Sequence, residues 1–163
     1  MIAGIGVAVS AIAGRTRRIR LGTAVTVLSS DDPIRVFERF STLNAISNGR
    51  AEITVGRGSF TESFPLFGYE LADYELLFEE KFDMFAKLLA EPERFSWNGT
   101  HRRPVDNAVV VPRTEGGLKA WVGVGGSPQS VIRAVNVRSA ASWLSPRWRS
   151  ARSMARPSHA MSS

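Results

Sequence analysis

An arginine between two glycines follows a short run that alternates apolar and polar residues. The run Ala51–Gly56 has the pattern of a half-buried strand, and Arg57, Gly58 and Ser59 come directly after it. Glycine allows another molecule to approach the backbone closely, and the planar guanidinium of arginine can bind a phosphate through two parallel hydrogen bonds. This turn is therefore a candidate site for a phosphorylated ligand.

Two other strand-like runs also carry small residues near their ends. Ala24 and Val25 belong to the first run, and Gly125 and Gly126 close the last one. Ser127 is followed by a proline, which is typical of a helix start, where free N–H groups favour an anion. Because parallel strands bind ligands at their carboxyl ends, these residues predict one pocket for a flat phosphorylated ligand. The same residues also fit a simpler interpretation, in which the glycines only form turns and Arg57 only pairs with an acid. The pattern leaves both interpretations open.

Other chemically active residues are sparse. His101 lies in a polar loop and is expected to be solvated, and Glu62 could act as a base but is expected to be a surface carboxylate. The chain has two histidines and no cysteine, which argues against a metal site. No phosphate-binding P-loop, dinucleotide fingerprint or nucleophile-elbow spacing is found.

The elements that would position these residues alternate along the chain. Strands are predicted at Ile19–Leu28, Ala51–Gly56 and Lys119–Gly126. Strand and helix in strict alternation predict an α/β fold with a parallel sheet. An insertion beside the sheet is predicted to hold two short strands, Phe95–Trp97 and Val109–Val111, with a turn at Asn98-Gly99.

Capping residues mark the helices. The first of these helices is predicted to start at Asp32-Pro33 and to end at Asn48-Gly49. The second is predicted from Asp73 to Leu89, with Asp83 and Lys87 paired on its outer face. The third is predicted to start at Ser127. The apolar N-terminal run is too short to cross a bilayer and lacks the positive start of a signal peptide, so it is interpreted as a core helix.

The positive charge is confined to the C-terminal end. The net charge of +6 comes from residues 127–163, which hold 6 of the 21 basic residues and none of the 15 acidic ones. A basic tail with Trp143 and Trp148 could meet nucleic acid, but nothing else in the sequence supports that use. With 44% hydrophobic residues and no cysteine, we expect a globular cytoplasmic protein that does not enter membranes.

A long stretch resembles the bacterial luciferase-like family of flavin-dependent monooxygenases. It runs "RIRLGTAVTVLSSDDPIRVFERFSTLNAISNGRAEITVGRGSFTESFPLFGYELADY", and "KAWVGVGGSPQSVIRA" is similar to a later strand and helix of the same family. The resemblance covers roughly residues 2–134. It implies the central part of a (β/α)₈ TIM barrel, with about three parallel barrel strands, their helices and a small β insertion.

The resemblance also implies a cofactor and its site. The cofactor would be FMN, with a deazaflavin as the less favoured alternative, and reduced flavin with O₂ would oxidise a small organic substrate. A flavin reductase would supply electrons, full-length relatives would be oligomeric, and no protein nucleophile is nominated. Ala24 and Val25 would lie under the flavin ring, and the phosphate and ribityl chain would contact Arg57, Gly58, Ser59, Gly125, Gly126 and Gln129. The alternatives are a phosphate-binding barrel enzyme without flavin and a non-catalytic fragment with a nucleic-acid-binding tail.

The sequence departs from the family at both ends. A barrel of this type takes about 250 residues, and the stretch before Ile19 has room for only one helix. After Ala134 the sequence is rich in Arg, Ser and Ala without periodicity, which indicates a shifted reading frame or a basic tail. The predicted division is therefore a partial barrel at 1–134 and an irregular tail at 135–163, in a chain that we expect not to turn over substrate.

Overall fold

The computed structural model describes residues 5–58, 61–91, 93–114 and 117–123. Five strands, four α-helices and one 3₁₀ turn (Leu71–Asp73) form this part of the chain. In chain order the elements are α1 (Ile5–Arg15), β1 (Thr26–Val27), α2 (Pro33–Ile46), β2 (Glu52–Gly56), α3 (Ser63–Leu66), α4 (Tyr74–Ala90), β3 (Phe95–Trp97), β4 (Val105–Ala108) and β5 (Lys119–Val122). The helix predicted to begin at Ser127 lies outside the described residues.

The predicted parallel sheet is confirmed. Its strand order is β1-β2-β5, with Val27 opposite Gly56 and Val55 opposite Val122. Ile53 and Val55 point from β2 into the core, where they are almost fully buried together with side chains of α2 and α4. The central strand is therefore covered by helices on one face, as in one sector of an α/β barrel.

The first strand is shorter than the predicted Ile19–Leu28. Leu21 makes an isolated parallel bridge to Ala51, and regular pairing resumes only where Thr26 faces Val55. Between these two points one strand advances by five residues and the other by four, which leaves one extra residue as a bulge. The buried positions change phase across the bulge, from Leu21 and Thr23 before it to Thr26 and Leu28 after it. The unbroken run of small and β-branched residues in the sequence did not reveal this change.

The capping residues predicted for α2 behave as expected. Asp32 Oδ1 accepts hydrogen bonds from the backbone N–H groups of Ile34 at 2.9 Å and Arg35 at 3.3 Å. Asn48 and Gly49 end the helix with φ angles of 56° and 78°, in the left-handed region. The helix buries one face, formed by Val36, Phe37, Phe40 and Leu43, against the rest of the core.

The long helix α4 also follows its predicted apolar stripe, with one correction on its outer face. Leu77, Phe78, Phe82, Phe85 and Leu88 are buried. Lys87 Nζ lies 3.5 Å from Glu91 Oε1, so the predicted pairing of Lys87 with Asp83 is wrong. Burial and the nearby Glu79 carboxylate raise the pKa of Asp83.

The insertion forms the predicted antiparallel pair, but its second strand is Val105–Ala108 and not Val109–Val111. Phe95 pairs with Ala108 and Trp97 with Val105. The connection is longer than a two-residue turn because Glu80 on α4 accepts hydrogen bonds from the backbone N–H groups of Thr100 and His101. These hydrogen bonds fix the loop, and β4 therefore begins earlier in the chain than the predicted strand.

Helix α1 forms from the apolar N-terminal run, as predicted, and buries Val9 and Ala13 while Val7 stays exposed. Its C-terminal end is bound by Arg50, whose guanidinium donates to the carbonyl oxygens of Ala13 and Thr16, both at 3.1 Å. Across the described ranges, none of the helices combines the length and the hydropathy needed to traverse a bilayer.

Candidate functional site

The carboxyl ends of the three parallel strands meet at one edge of the sheet. The backbone N–H of Leu28 donates to Gly56 O at 3.0 Å, and that of Gly123 donates to Val55 O at 2.7 Å, so the pairing continues to the last residues of the strands. Arg57 and Gly58 follow β2 directly at this edge. Of the predicted cofactor residues, Ala24, Val25, Arg57 and Gly58 are described, whereas Ser59, Gly125, Gly126 and Gln129 lie outside the described residues.

The bulge in the first strand contains the predicted ring-binding residues. The peptide bond between Ala24 and Val25 is cis. The hydroxyls of Thr23 and Thr26, both buried, are hydrogen-bonded to each other at 2.8 Å across the bulge. Ala24 is exposed and Val25 is half-buried.

The glycines of the site are explained first by packing within the protein. A Cβ on Gly56 would lie 3.0 Å from Val25 Cγ2, and one on Gly123 would lie 2.7 Å from Val25 Cγ1. A Cβ on Gly58, which has a φ of +72°, would lie 2.6 Å from Val27 Cγ2. Val25 is thus set between two glycines of the neighbouring strands, and it forms an apolar surface over their ends.

Arg57 is held by residues at the start of α4. Its guanidinium forms an ion pair with Glu75, and its Cζ lies 5.7 Å from the centre of the Tyr74 ring, within the range of a cation–π contact. The Tyr74 hydroxyl donates to the carbonyl oxygen of Gly58. Pairing with an acid was one of the two interpretations left open for this arginine. The Arg57 side chain is still 23% exposed, so it also remains accessible to a ligand.

A buried lysine that the sequence interpretation missed supports the same loops. Lys81 is 4% exposed, and its ammonium group donates to Ser29 O at 2.6 Å and lies 3.9 Å from the centre of the Tyr69 ring. The Ser29 hydroxyl in turn donates to Arg57 O at 3.4 Å. The available signal was a lysine in the apolar stripe of α4, four residues after Leu77 and three after Phe78.

The remaining charged groups lie away from the strand ends. Arg20, Lys119 and the Trp121 indole all reach the carboxylate of Glu52, which starts β2 at the opposite edge. Burial alone would raise the pKa of Glu52, but the hydrogen bonds from Arg20 and Trp121 and the two positive charges outweigh it and lower the pKa. This cluster lies at the amino end of β2 and does not face the candidate site.

The two other candidate residues of the sequence play no part in the site. Glu62 is exposed, as expected. His101 lies in an exposed loop, but its Nδ1 is 2.9 Å from Glu80 Oε2, so the ring is paired rather than simply solvated. Among the residues that the structure describes, no group of three or more potential metal ligands comes together.

The sequence matches a known family over most of its length. The sequence model of the luciferase-like monooxygenases matches residues 6–155. This range extends past Ala134, where the sequence predicted the end of the barrel domain, and that boundary stays a prediction. Protein y4wF of Sinorhizobium fredii is 44% identical over 61 residues, which are 37% of this chain and 18% of that protein. Limonene 1,2-monooxygenase of Rhodococcus erythropolis is 35% identical over 81 residues, which are 50% and 21% of the two chains. The alkanal monooxygenase alpha chain of the Kryptophanaron alfredi symbiont is 29% identical over 85 residues, or 52% and 24%.

Solved structures agree on the fold. Monooxygenase RslO1 from Streptomyces bottropensis superimposes with a TM-score of 0.69 at 22% identity, covering 87% of this chain and 51% of that one. An F420-dependent secondary alcohol dehydrogenase gives 0.67 at 19% identity, with coverages of 79% and 39%. The oxygenating constituent of the Pseudomonas putida 3,6-diketocamphane monooxygenase, in complex with FMN, gives 0.56 at 17% identity, with 79% and 32%. The chain thus spans about a fifth of the length of these curated relatives and between 32% and 51% of the length of these structures. From its family match and its parallel sheet with helices, the chain belongs to the luciferase-like monooxygenase family.

Proposed function

We propose that this chain serves a flavin-dependent monooxygenase reaction, in which reduced flavin and O₂ oxidise a small organic substrate. The observation that carries the proposal is that Val25 packs over Gly56, the residue directly before Arg57, at the carboxyl ends of the two adjacent parallel strands β1 and β2. Val25 is an apolar surface that a flat ring can cover, and Arg57 has an accessible guanidinium. This is the combination that a phosphorylated flavin requires.

The residues present fit FMN. Ala24 and Val25 offer exposed and half-exposed apolar surface, and Arg57 offers a charge-assisted donor for a phosphate. Among the structural neighbours, one was solved in complex with FMN and another is F420-dependent. We propose FMN, the cofactor that the family resemblance implies and that one of these neighbours binds. When bound, the flavin would supply the redox chemistry.

The protein's own part is to bind and orient. Val25 would support the ring, and Arg57 would hold the phosphate. Tyr74 fixes Gly58 through its hydroxyl, and Lys81 fixes the loop after β1 through Ser29, so both sides of the site keep their shape. Ser59, Gly125, Gly126 and Gln129 would complete the phosphate site, and a flavin reductase would act as the electron donor.

The test is a comparison of FMN with riboflavin, which lacks the phosphate. The 163-residue chain is titrated with each flavin while flavin fluorescence is followed, and R57A is titrated in parallel. A charge-assisted hydrogen bond contributes about 1.5–3 kcal/mol, so FMN should bind roughly ten- to a hundredfold more tightly than riboflavin. R57A should remove most of this preference.

Three results would overturn the proposal. The first is equal affinity for FMN and riboflavin, and the second is no binding of either at millimolar concentration. The third is binding of inorganic phosphate as tight as that of FMN, which would favour a phosphate-binding barrel protein without flavin. We also propose that this 163-residue polypeptide alone does not oxidise a substrate with reduced FMN and O₂, and consumes no O₂ beyond the spontaneous oxidation of free reduced FMN, since a closed barrel takes about 250 residues.

A further inference from the structure

The partner of Arg57 occupies the position that a ligand anion would need. Arg57 donates through Nη1 to a carboxylate oxygen of Glu75, and this ion pair lies at the beginning of α4. The Glu75 side chain is 48% exposed, about twice the 23% of the Arg57 side chain. The carboxylate therefore lies on the solvent side of the pair, where an entering phosphate would arrive.

We propose that Glu75 competes with the ligand phosphate for Arg57, and so sets the affinity of the site for phosphorylated ligands. This inference rests on the proposed function, because it assigns a phosphate to Arg57. Glu75 would hold the guanidinium while the site is free and release it when a phosphate binds. It is a specificity-determining residue that lowers affinity for phosphate without touching the ring of the flavin.

The contacts around Arg57 confine such an exchange to the side chains. The backbone is fixed on both sides, by Ser29 Oγ to Arg57 O at 3.4 Å and by the Tyr74 hydroxyl to Gly58 O. The Tyr74 ring lies 5.7 Å from the guanidinium carbon and attracts it whether the anion beside it is a carboxylate or a phosphate. Arg57 therefore keeps its position when its anionic partner changes.

The charges give the direction of the effect. Arg57 and Glu75 together are neutral, so a phosphate that approaches the intact pair gains little net attraction and meets a like charge nearby. A carboxylate at this exposure loses little when it turns into water, because exposed ion pairs are weak. The competition is therefore measurable but modest, about three- to tenfold in affinity.

Glu75→Gln tests the inference, and Glu79→Gln is the matched control. Both remove one negative charge from the same helix, and Glu79 lies one turn further along α4. FMN, riboflavin and inorganic phosphate serve as probes. We expect E75Q to bind FMN and phosphate about three- to tenfold more tightly than wild type, with riboflavin affinity unchanged. E79Q should stay within about twofold of wild type for all three probes.

The outcomes separate the two proposals. If wild type prefers FMN to riboflavin but E75Q binds FMN equally or more weakly, Glu75 positions Arg57 and does not compete, and the inference is wrong. An equal gain in E79Q would assign the effect to net charge and would also overturn it. If neither wild type nor E75Q distinguishes FMN from riboflavin, the proposed function itself fails, and the inference with it. Urea unfolding of each variant checks that the fold is retained.

Discussion

Replacing Gly123 by alanine should destabilise the chain through a single side chain, Val25. The backbone of Gly123 is outside the left-handed region, so alanine is acceptable to the main chain. Its Cβ, however, would lie 2.7 Å from Val25 Cγ1. Val25 cannot rotate away freely, because its methyl groups already pack over Gly56 and β-branched side chains are stiff.

The magnitude follows from overpacking. Inserting a methyl group into a filled site costs about 1–3 kcal/mol. Truncating Val25 to alanine costs about 1 kcal/mol, because the side chain is only half-buried. In the double variant V25A/G123A the clash is gone, so its stability should lie close to that of V25A. The coupling energy between the two substitutions should then equal the cost of G123A alone, about 1–3 kcal/mol.

The assay is urea unfolding followed by tryptophan fluorescence, for wild type, both single variants and the double variant. Equal m-values would show that the substitutions change stability and not the denatured state. If G123A is as stable as wild type, or if V25A brings no relief, Val25 is not set between the two glycines. The packing explanation for these glycines would then be wrong.

Three further predictions concern the supports of the site. D32A should lose about 1 kcal/mol of unfolding free energy in urea because α2 loses its cap, whereas D32N, which keeps a capping oxygen, should lose less. R50A should lose about 2 kcal/mol of unfolding free energy, because the carbonyl groups at the end of α1 lose their donor. Its melting temperature should be roughly 4–8 °C lower than that of wild type, and R50K should recover little of the lost stability. Burial alone raises the pKa of Glu80, but hydrogen bonds from His101 and Thr100 outweigh it and lower the pKa below 4.5. This stabilisation is full above the unfolded-state pKa of Glu80 and is lost as the pH falls through the lower folded-state pKa. The urea midpoints of wild type and E80Q should therefore differ near pH 7 and converge as the pH falls through that range.

Features that depend on neighbouring residues in the chain could be predicted from the sequence. The start of α2 is an example, since the Asp32 side chain caps N–H groups only two and three residues away. The parallel pairing of β2 was also predictable, because strand and helix alternate and the connections leave few other topologies. In both cases the deciding interaction is local or follows from the order of elements.

Features that depend on tertiary contacts could not be predicted. The bulge before β1 is visible only when the register with β2 is known. The partner of Arg57 is 18 residues away, and several other acids in the sequence were equally suitable. Lys81 reaches Ser29 across 52 residues. The strand β4 was placed four residues too late because the loop before it is fixed by Glu80, on a different element.

The central claim is that Arg57 binds the phosphate of a flavin at the carboxyl edge of the sheet. The most direct measurement is the ³¹P resonance of FMN, recorded while the 163-residue chain is added and compared with the same titration of R57A. The account predicts that the resonance shifts and broadens with wild type, in step with the quenching of flavin fluorescence, and stays near its free position with R57A. A phosphorus resonance that is unchanged while flavin fluorescence is quenched by the wild-type chain would contradict it.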